Sequence, residues 1–205
     1  MTILPDFYDN LELSLTELQR VVQNGVQNRH SAAHHPIVAN VDCTGAPQQR
    51  VLILRDCNWT NRQLRFHTDN RSDKVVQFNE RVQTSVLIYD ETAKIQIRLS
   101  GSTRMGDDDV SDIAWSRSTP FARRCYMAVN APGSVAVQPT SGLPDWIAGK
   151  QPDEEQLAPV RENFATLIVT VKAVEWLYLA NAGHRRARWQ WNETSQSWSG
   201  NWLIP

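Results

Sequence analysis

The residues best placed to do chemistry lie in one strand-to-helix corner, "FHTDNRSDKVVQF" at positions 66–78, where Arg71, Ser72 and Lys74 fall within four positions. A helix N-terminus carries unpaired backbone N–H groups and about half a positive charge, so a hydroxyl and an ammonium in its first turn make a cradle for an anion. The same residues also fit a plainer arrangement, in which Ser72 or Asp69 caps the helix and Arg71 and Lys74 are solvated. A second set lies on apolar strands. "RVLILR" has arginines at both ends, Arg50 and Arg55, and an arginine among β-branched neighbours is costly unless paired. Gln96 interrupts the strand "KIQIRLSG", where its amide suits either a heterocycle or packing against backbone. Near the C-terminus, "GHRRAR" concentrates His184, Arg186 and Arg188, which suits an anionic ligand, an exposed basic strand or an ion-paired dimer seam.

Other constellations carry less. His30, His34 and His35 share a loop without further ligands, so no metal site is expected. "GDDD" lacks the spacing of a calcium loop and reads as helix-starting carboxylates. No GxGxxG follows a strand and no GxxxxGK[ST] occurs, which excludes the dinucleotide and P-loop signatures. Nothing sets a histidine beside a nucleophile. Net charge is −1, so neither nucleic acid nor an anionic membrane is an expected partner. A single-stranded nucleic acid stacking on "GHRRARWQW" is disfavoured for the same reason. The three cysteines, Cys43, Cys57 and Cys125, have no CxxC spacing and read as reduced thiols in a cytoplasmic protein. The first residues lack a secretory pattern, and the longest apolar run carries Lys172 and Glu175, so no membrane span is expected.

The elements that must position these groups follow from periodicity. Leu11, Leu15, Leu18, Val22 and Val26 recur at helical steps after a cap at Asp9 or Asn10. The first half then reads as three strands ("PIVANVD", "QRVLILRD", "QLRFHTD"), a helix from "SDKVVQFNE", and a hairpin from "TSVLIYD" and "KIQIRLSGSTRM". "DDDVSDIAW" opens an acidic helix. The Pro- and Gly-rich stretch from Asn130 to Gln156 reads as a long irregular loop or a partner-covering arm. A short helical piece and three strands with turns at Asn181–Gly183 and Glu193–Ser195 complete the chain. About eight mostly antiparallel strands with three or four short helices predict an α+β barrel with helices plugging its ends rather than a parallel α/β sheet. The eight tryptophans, four of them in the last seventeen residues, fit core packing, a dimer interface or an aromatic ligand.

In their order, "RVLILR", "FHTDNRSDK", "IQIRLSG", "VEWLYLANAGHRRARWQW" and "WLIP" resemble the successive motifs of the pyridoxamine 5′-phosphate oxidase family of FMN-binding split β-barrels, over nearly the whole chain. The resemblance implies a single domain over 1–205, with the main FMN phosphate motifs in 1–105 and the strands of 163–205 completing the barrel. It implies a homodimer with FMN at the interface. Arg50, Lys74 and the segment around Ser72 would hold the phosphate, and Val51, Leu52, Ile53, Arg55, His67 and Thr68 would line the flavin. Gln96 of the second subunit would reach the ring, and Arg188 would close the site. Asp73–Lys74 stands where the family has Arg–Lys, with Arg71 as a replacement contact, and Arg55 stands for a lysine. The family's Arg-Leu-His-Asp-Arg run reads "HRRAR" here, so His184 and Arg186 would face the substrate, and Trp115 takes the place of a substrate-contacting tyrosine. These changes keep the flavin cradle and rewrite the substrate pocket. The expectation is an FMN-dependent oxidoreductase acting on a small, anionic substrate. The alternatives are a non-catalytic flavin-binding module and a haem-binding split barrel.

Overall fold

The computed structural model describes residues 4–205. Helix α1 spans Leu11–Gln27, and the Asn10 side chain caps it by accepting the Leu13 N–H at 3.0 Å. Strands β1 (Ile37–Val41), β2 (Pro47–Val51), β3 (Leu54–Asn58) and β4 (Gln63–Asp69) lead into helix α2 (Asp73–Glu80). β5 (Gln83–Asp90) and β6 (Ile95–Met105) form the expected hairpin, followed by α3 (Asp108–Ser116), α4 (Pro120–Arg123) and, after the irregular segment, α5 (Glu154–Leu157). β7 (Phe164–Tyr178), β8 (Arg185–Asn192) and β9 (Ser197–Leu203) end the chain. The strands number nine among the described residues, one more than expected, and every pairing is antiparallel.

The extra strand comes from "QRVLILRD", which the alternation pattern predicts as one strand and which breaks at Leu52–Ile53 into β2 and β3. The reason is topological. The sheet runs β2-β1-β5-β6-β7-β4-β3, so β2 and β3 are its two ends. Val51 and Leu54 are three residues apart, at most about 11 Å of chain. The sheet must therefore roll until its ends meet, and no ladder pairs those ends among the described residues. The barrel is split at this seam rather than closed, with Arg50 on one side and Arg55 on the other.

β7 makes the second branch. β6 lies along one edge for nearly its whole length, while the other edge pairs β4 from Phe164 to Thr170 and β8 from Ala173 to Tyr178. The β6 register shifts between Ser100 and Gly101, where a Cβ on Gly101 would stand 2.0 Å from the Thr170 carbonyl oxygen. Only glycine admits so close a backbone approach. Inside the roll lies a core including Leu18 and Val22 of α1 and Leu54, Phe66, Phe78, Ile97, Leu99 and Trp176. A second, smaller cluster joins Trp115, Tyr126, Ile147, Leu157 and Phe164. The irregular segment gives Ile147 to the second cluster and carries Val135 and Val137 fully exposed. Among the described residues no helix is long and apolar enough to cross a membrane.

Candidate functional site

The corner between β4 and α2 is built from side chains that hold one another. Asp69, almost fully buried, accepts from the Arg71 backbone N–H, Nε and Nη2 at 2.9, 3.0 and 2.8 Å. Arg71 Nη1 donates to the Ala128 carbonyl at 2.8 Å, tying the root of the irregular segment to the corner. Ser72 occupies the N-cap position of α2, yet its hydroxyl donates to the Asp69 carbonyl instead of capping an N–H. The Thr68 hydroxyl lies 3.4 Å from that of Ser72, and Lys74 Nζ donates to Ser72 at 2.9 Å. The ammonium is thus folded back over the first turn, where the N–H groups have no side-chain partner from Ser72.

Arg50 reaches the same place from β2. Its register partner is the buried Val38, so its side chain points inward toward α2, where it bonds Asn40 and Gln77 Oε1 and sits 5.7 Å from the Phe78 ring centroid. Among the described residues, neither Arg50 nor Lys74 has a carboxylate within salt-bridge distance. Burial lowers the pKa of both, and the Arg50 charge pushes Lys74 down further against weaker pulls from Asp69 and Asp73. Two partly buried cations that repel each other against one helix, Lys74 in its first turn and Arg50 at Gln77, favour an anion.

Across the seam, Arg55 is exposed on β3 and its charge is felt at His67, Cys125 and Tyr126. His67 lies edge-on to Phe164 at 4.9 Å, and its Nε2 is buried without a partner. Burial first, then Arg55 and Arg65, push its pKa down to about 3, so the ring is neutral above mildly acidic pH. Burial raises the Tyr126 hydroxyl and the Cys125 thiol, which keeps both protonated at neutral pH. The link Val51, Leu52 and Ile53 runs along the seam, with Val51 exposed and the other two half-buried.

The remaining expected residues lie elsewhere in the same chain. Gln96, Arg186 and Arg188 stand on the outer face of the sheet, opposite the core-facing side chain of Arg50. His184 is exposed in the turn before β8 and lines a recess of about 280 Å³ with Arg186 and Trp202. Trp115 is buried in the second cluster against Tyr126 and Phe164. One chain therefore assembles Arg50, Thr68, Ser72 and Lys74, places Arg55 and His67 across the seam, and gives Arg71 to Asp69. Asn40 and Gln77 complete the corner and are absent from the sequence reading; Asn40 is legible only as a polar residue at a core-facing position of "PIVANV". Among the described residues no three His, Cys, Asp or Glu side chains gather as a metal site.

Residues 15–107 match the family model for the pyridoxamine 5′-phosphate oxidase FMN-binding domain. That stretch holds every cofactor residue expected above except Arg188. The structure is similar to a pyridoxamine 5′-phosphate oxidase-related, FMN-binding protein from Nostoc punctiforme, at 23% identity and a TM-score of 0.69, covering 100% of both chains. It is similar to PhzG from Burkholderia lata, solved with tetrahydrophenazine-1-carboxylic acid, at 19% identity and a TM-score of 0.72, covering 100% of this chain and 99% of that one. A Clostridium acetobutylicum protein related to general stress protein 26 aligns at 10% identity and a TM-score of 0.53, covering 85% and 94%. No curated protein sequence matches the chain. The fold defines a split β-barrel, mostly antiparallel with helices about its ends. The family match covers residues 15–107, and the fold of the whole chain is similar to that of solved split barrels.

Proposed function

We propose that the protein is an FMN-dependent oxidoreductase that works as a homodimer on a small anionic substrate. The observation that carries this reading is Lys74 in the first turn of α2 together with Arg50, which bonds Gln77 on the same helix: two partly buried cations with no carboxylate partner among the described residues. A phosphate monoester fits such a corner, because its oxygens accept from Lys74, Ser72 and the helix N–H groups together. FMN carries that phosphate, and when bound it would supply a hydride acceptor.

The protein's own part is orientation and charge. Arg50, Ser72 and Lys74 would hold the phosphate, while Val51–Ile53, His67 and Thr68 would bound the flavin along the seam. Arg55, exposed beside the neutral His67, would place a fixed positive charge near the ring or the substrate. Gln96 and Arg188 face away from the Arg50 corner of their own chain, so they would serve the site of a second copy. That requirement is the reason for proposing a dimer.

The test is an absorption spectrum of the purified protein before and after incubation with FMN, with the mass measured by light scattering. Flavin bands retained after removal of free FMN, on a particle of twice the chain mass, support the reading. A protein that retains no flavin sinks it, and a Soret band would move the case to haem. A flavin-loaded protein without turnover on any amine or anionic reductant would mark a binding module rather than an enzyme.

A further inference from the structure

A third cation stands in the corner and is withheld from any ligand. Arg71 lies one position before Ser72, and each nitrogen of its guanidinium is engaged. Nε and Nη2 donate to the two oxygens of Asp69 at 3.0 and 2.8 Å, the side-by-side form in which an arginine–carboxylate pair is strongest. Nη1 donates to the Ala128 carbonyl, so the head cannot turn toward α2 without giving up that bond. The Asp69 bonds raise the Arg71 pKa, with a weaker pull from the charge of Glu162.

The strand register explains why the pair is firm. Asp69 ends β4 directly opposite Phe164, which belongs to the second cluster, and the Asp69 side chain keeps 8% of its surface exposed against 26% for Arg71. A carboxylate so placed has little water to replace its partner, and breaking such a pair from one side leaves an uncompensated charge. Arg50 and Lys74 have no carboxylate within salt-bridge distance among the described residues, whereas the charges of Arg71 and Asp69 cancel.

We infer that Asp69 sets the corner's selectivity for a phosphate monoester by competing with the phosphate for Arg71, so that Arg50 and Lys74 face the anion without it. Selectivity here is the difference in affinity between a flavin with the phosphate and one without it, and a charge beside the phosphate acts on the first alone. Taking away the Asp69 charge leaves the Arg71 cation unopposed two residues before α2, where it strengthens the field on an anion. An amide at position 69 still accepts from Arg71, so the head keeps its place. The identity of the ligand rests on the flavin reading; the competition needs only a phosphate monoester.

The experiment is a titration of FMN, followed by flavin fluorescence, into the full-length protein stripped of flavin, with riboflavin as the control. It compares the parent with Asp69→Asn, Arg71→Gln and the double variant. Asp69→Asn should tighten FMN about fivefold, the order of one partly screened unit charge, and leave riboflavin unchanged. Arg71→Gln should weaken FMN by a similar factor, because Asp69 is then unopposed. The double variant, an amide pair in place of the ion pair, should return to within about twofold of the parent. Three results overturn the inference: an unchanged FMN affinity in Asp69→Asn; a double variant as weak as Arg71→Gln, which would make Arg71 itself a phosphate contact; or equal changes for both flavins, the mark of a loosened corner. If a lone buried charge keeps a single variant from folding, the double variant decides: parent-like FMN affinity upholds the inference, and a loss of about fivefold or more overturns it. If the parent binds no FMN, the same variants are titrated calorimetrically with phenyl phosphate. Tightening in Asp69→Asn then upholds the competition while the flavin reading fails, and no binding by parent or variant overturns both.

Discussion

Replacing Lys74 by alanine tests the phosphate corner most directly. Arg50 is the poorer choice, since it also bonds Asn40 and Gln77 and its loss would disturb the joint between β1 and α2. Among the described residues the Lys74 side chain has one hydrogen bond, to Ser72, and its charge is disfavoured in the free protein by burial and by Arg50. Opposite charges 4 Å apart attract by about 4 kcal/mol at an effective dielectric of 20, and Lys74 is half-exposed, so solvent screens part of that. A charge-assisted hydrogen bond contributes about 1.5–3 kcal/mol net. A loss of about 2–3 kcal/mol is expected, or roughly 30- to 150-fold in the dissociation constant. The free protein should not lose thermal stability, because a repulsion is removed with the charge. The assay is quenching of flavin fluorescence on titration, with riboflavin, which lacks the phosphate, as the control. Lys74→Ala should weaken FMN and leave riboflavin unchanged. A change under threefold for FMN, or an equal loss for both flavins, would refute the reasoning that Lys74 and Arg50 await a phosphate.

Two further outcomes follow from buried groups. The folded pKa of His67, about 3, lies below its unfolded value near 6.5, so the unfolded chain takes up a proton that the fold refuses. Its contribution to stability is intact above pH 6.5 and declines as pH falls toward 3, where it levels off. Between pH 7 and pH 4 the parent's melting temperature should therefore fall relative to that of His67→Phe as the pH drops, by about one proton's worth of slope below pH 6.5; a constant difference rejects this. Gly25→Ala sets two effects against each other: alanine favours the helix by about 1 kcal/mol, but a Cβ there would stand 2.5 Å from the Ala33 backbone, where overpacking costs about 1–3 kcal/mol. The same turn returns a bond from His34 Nδ1 to the Gly25 carbonyl at 2.6 Å. Net destabilisation is expected in a denaturant melt, and a gain in stability would show that the turn yields freely.

Local signals were sufficient where an element's own side chains decide its form. The helix of α1 follows from leucines at helical steps and a capping asparagine, and the β5–β6 hairpin and last three strands follow from alternation broken by turn residues. The corner's residue types were legible for the same reason, because Ser72, Lys74 and the start of α2 are neighbours in the chain. Pairing over distance was not. Alternation cannot reveal that "RVLILR" straddles the seam of a rolled sheet, since each half looks like the same strand. Nor can it show that Arg71 is held by Asp69 and Ala128, while Arg50 and Lys74 near it have no carboxylate partner among the described residues. That Gln96 and Arg188 face away from Arg50 follows only from the registers of β2, β6, β7 and β8. Sequence by itself determined the elements and the inventory of charges, because backbone propensity and side-chain period act over a few residues. Tertiary structure alone decided which charges are neutralised and which face they share, because register and burial are fixed by contacts between segments far apart in the chain.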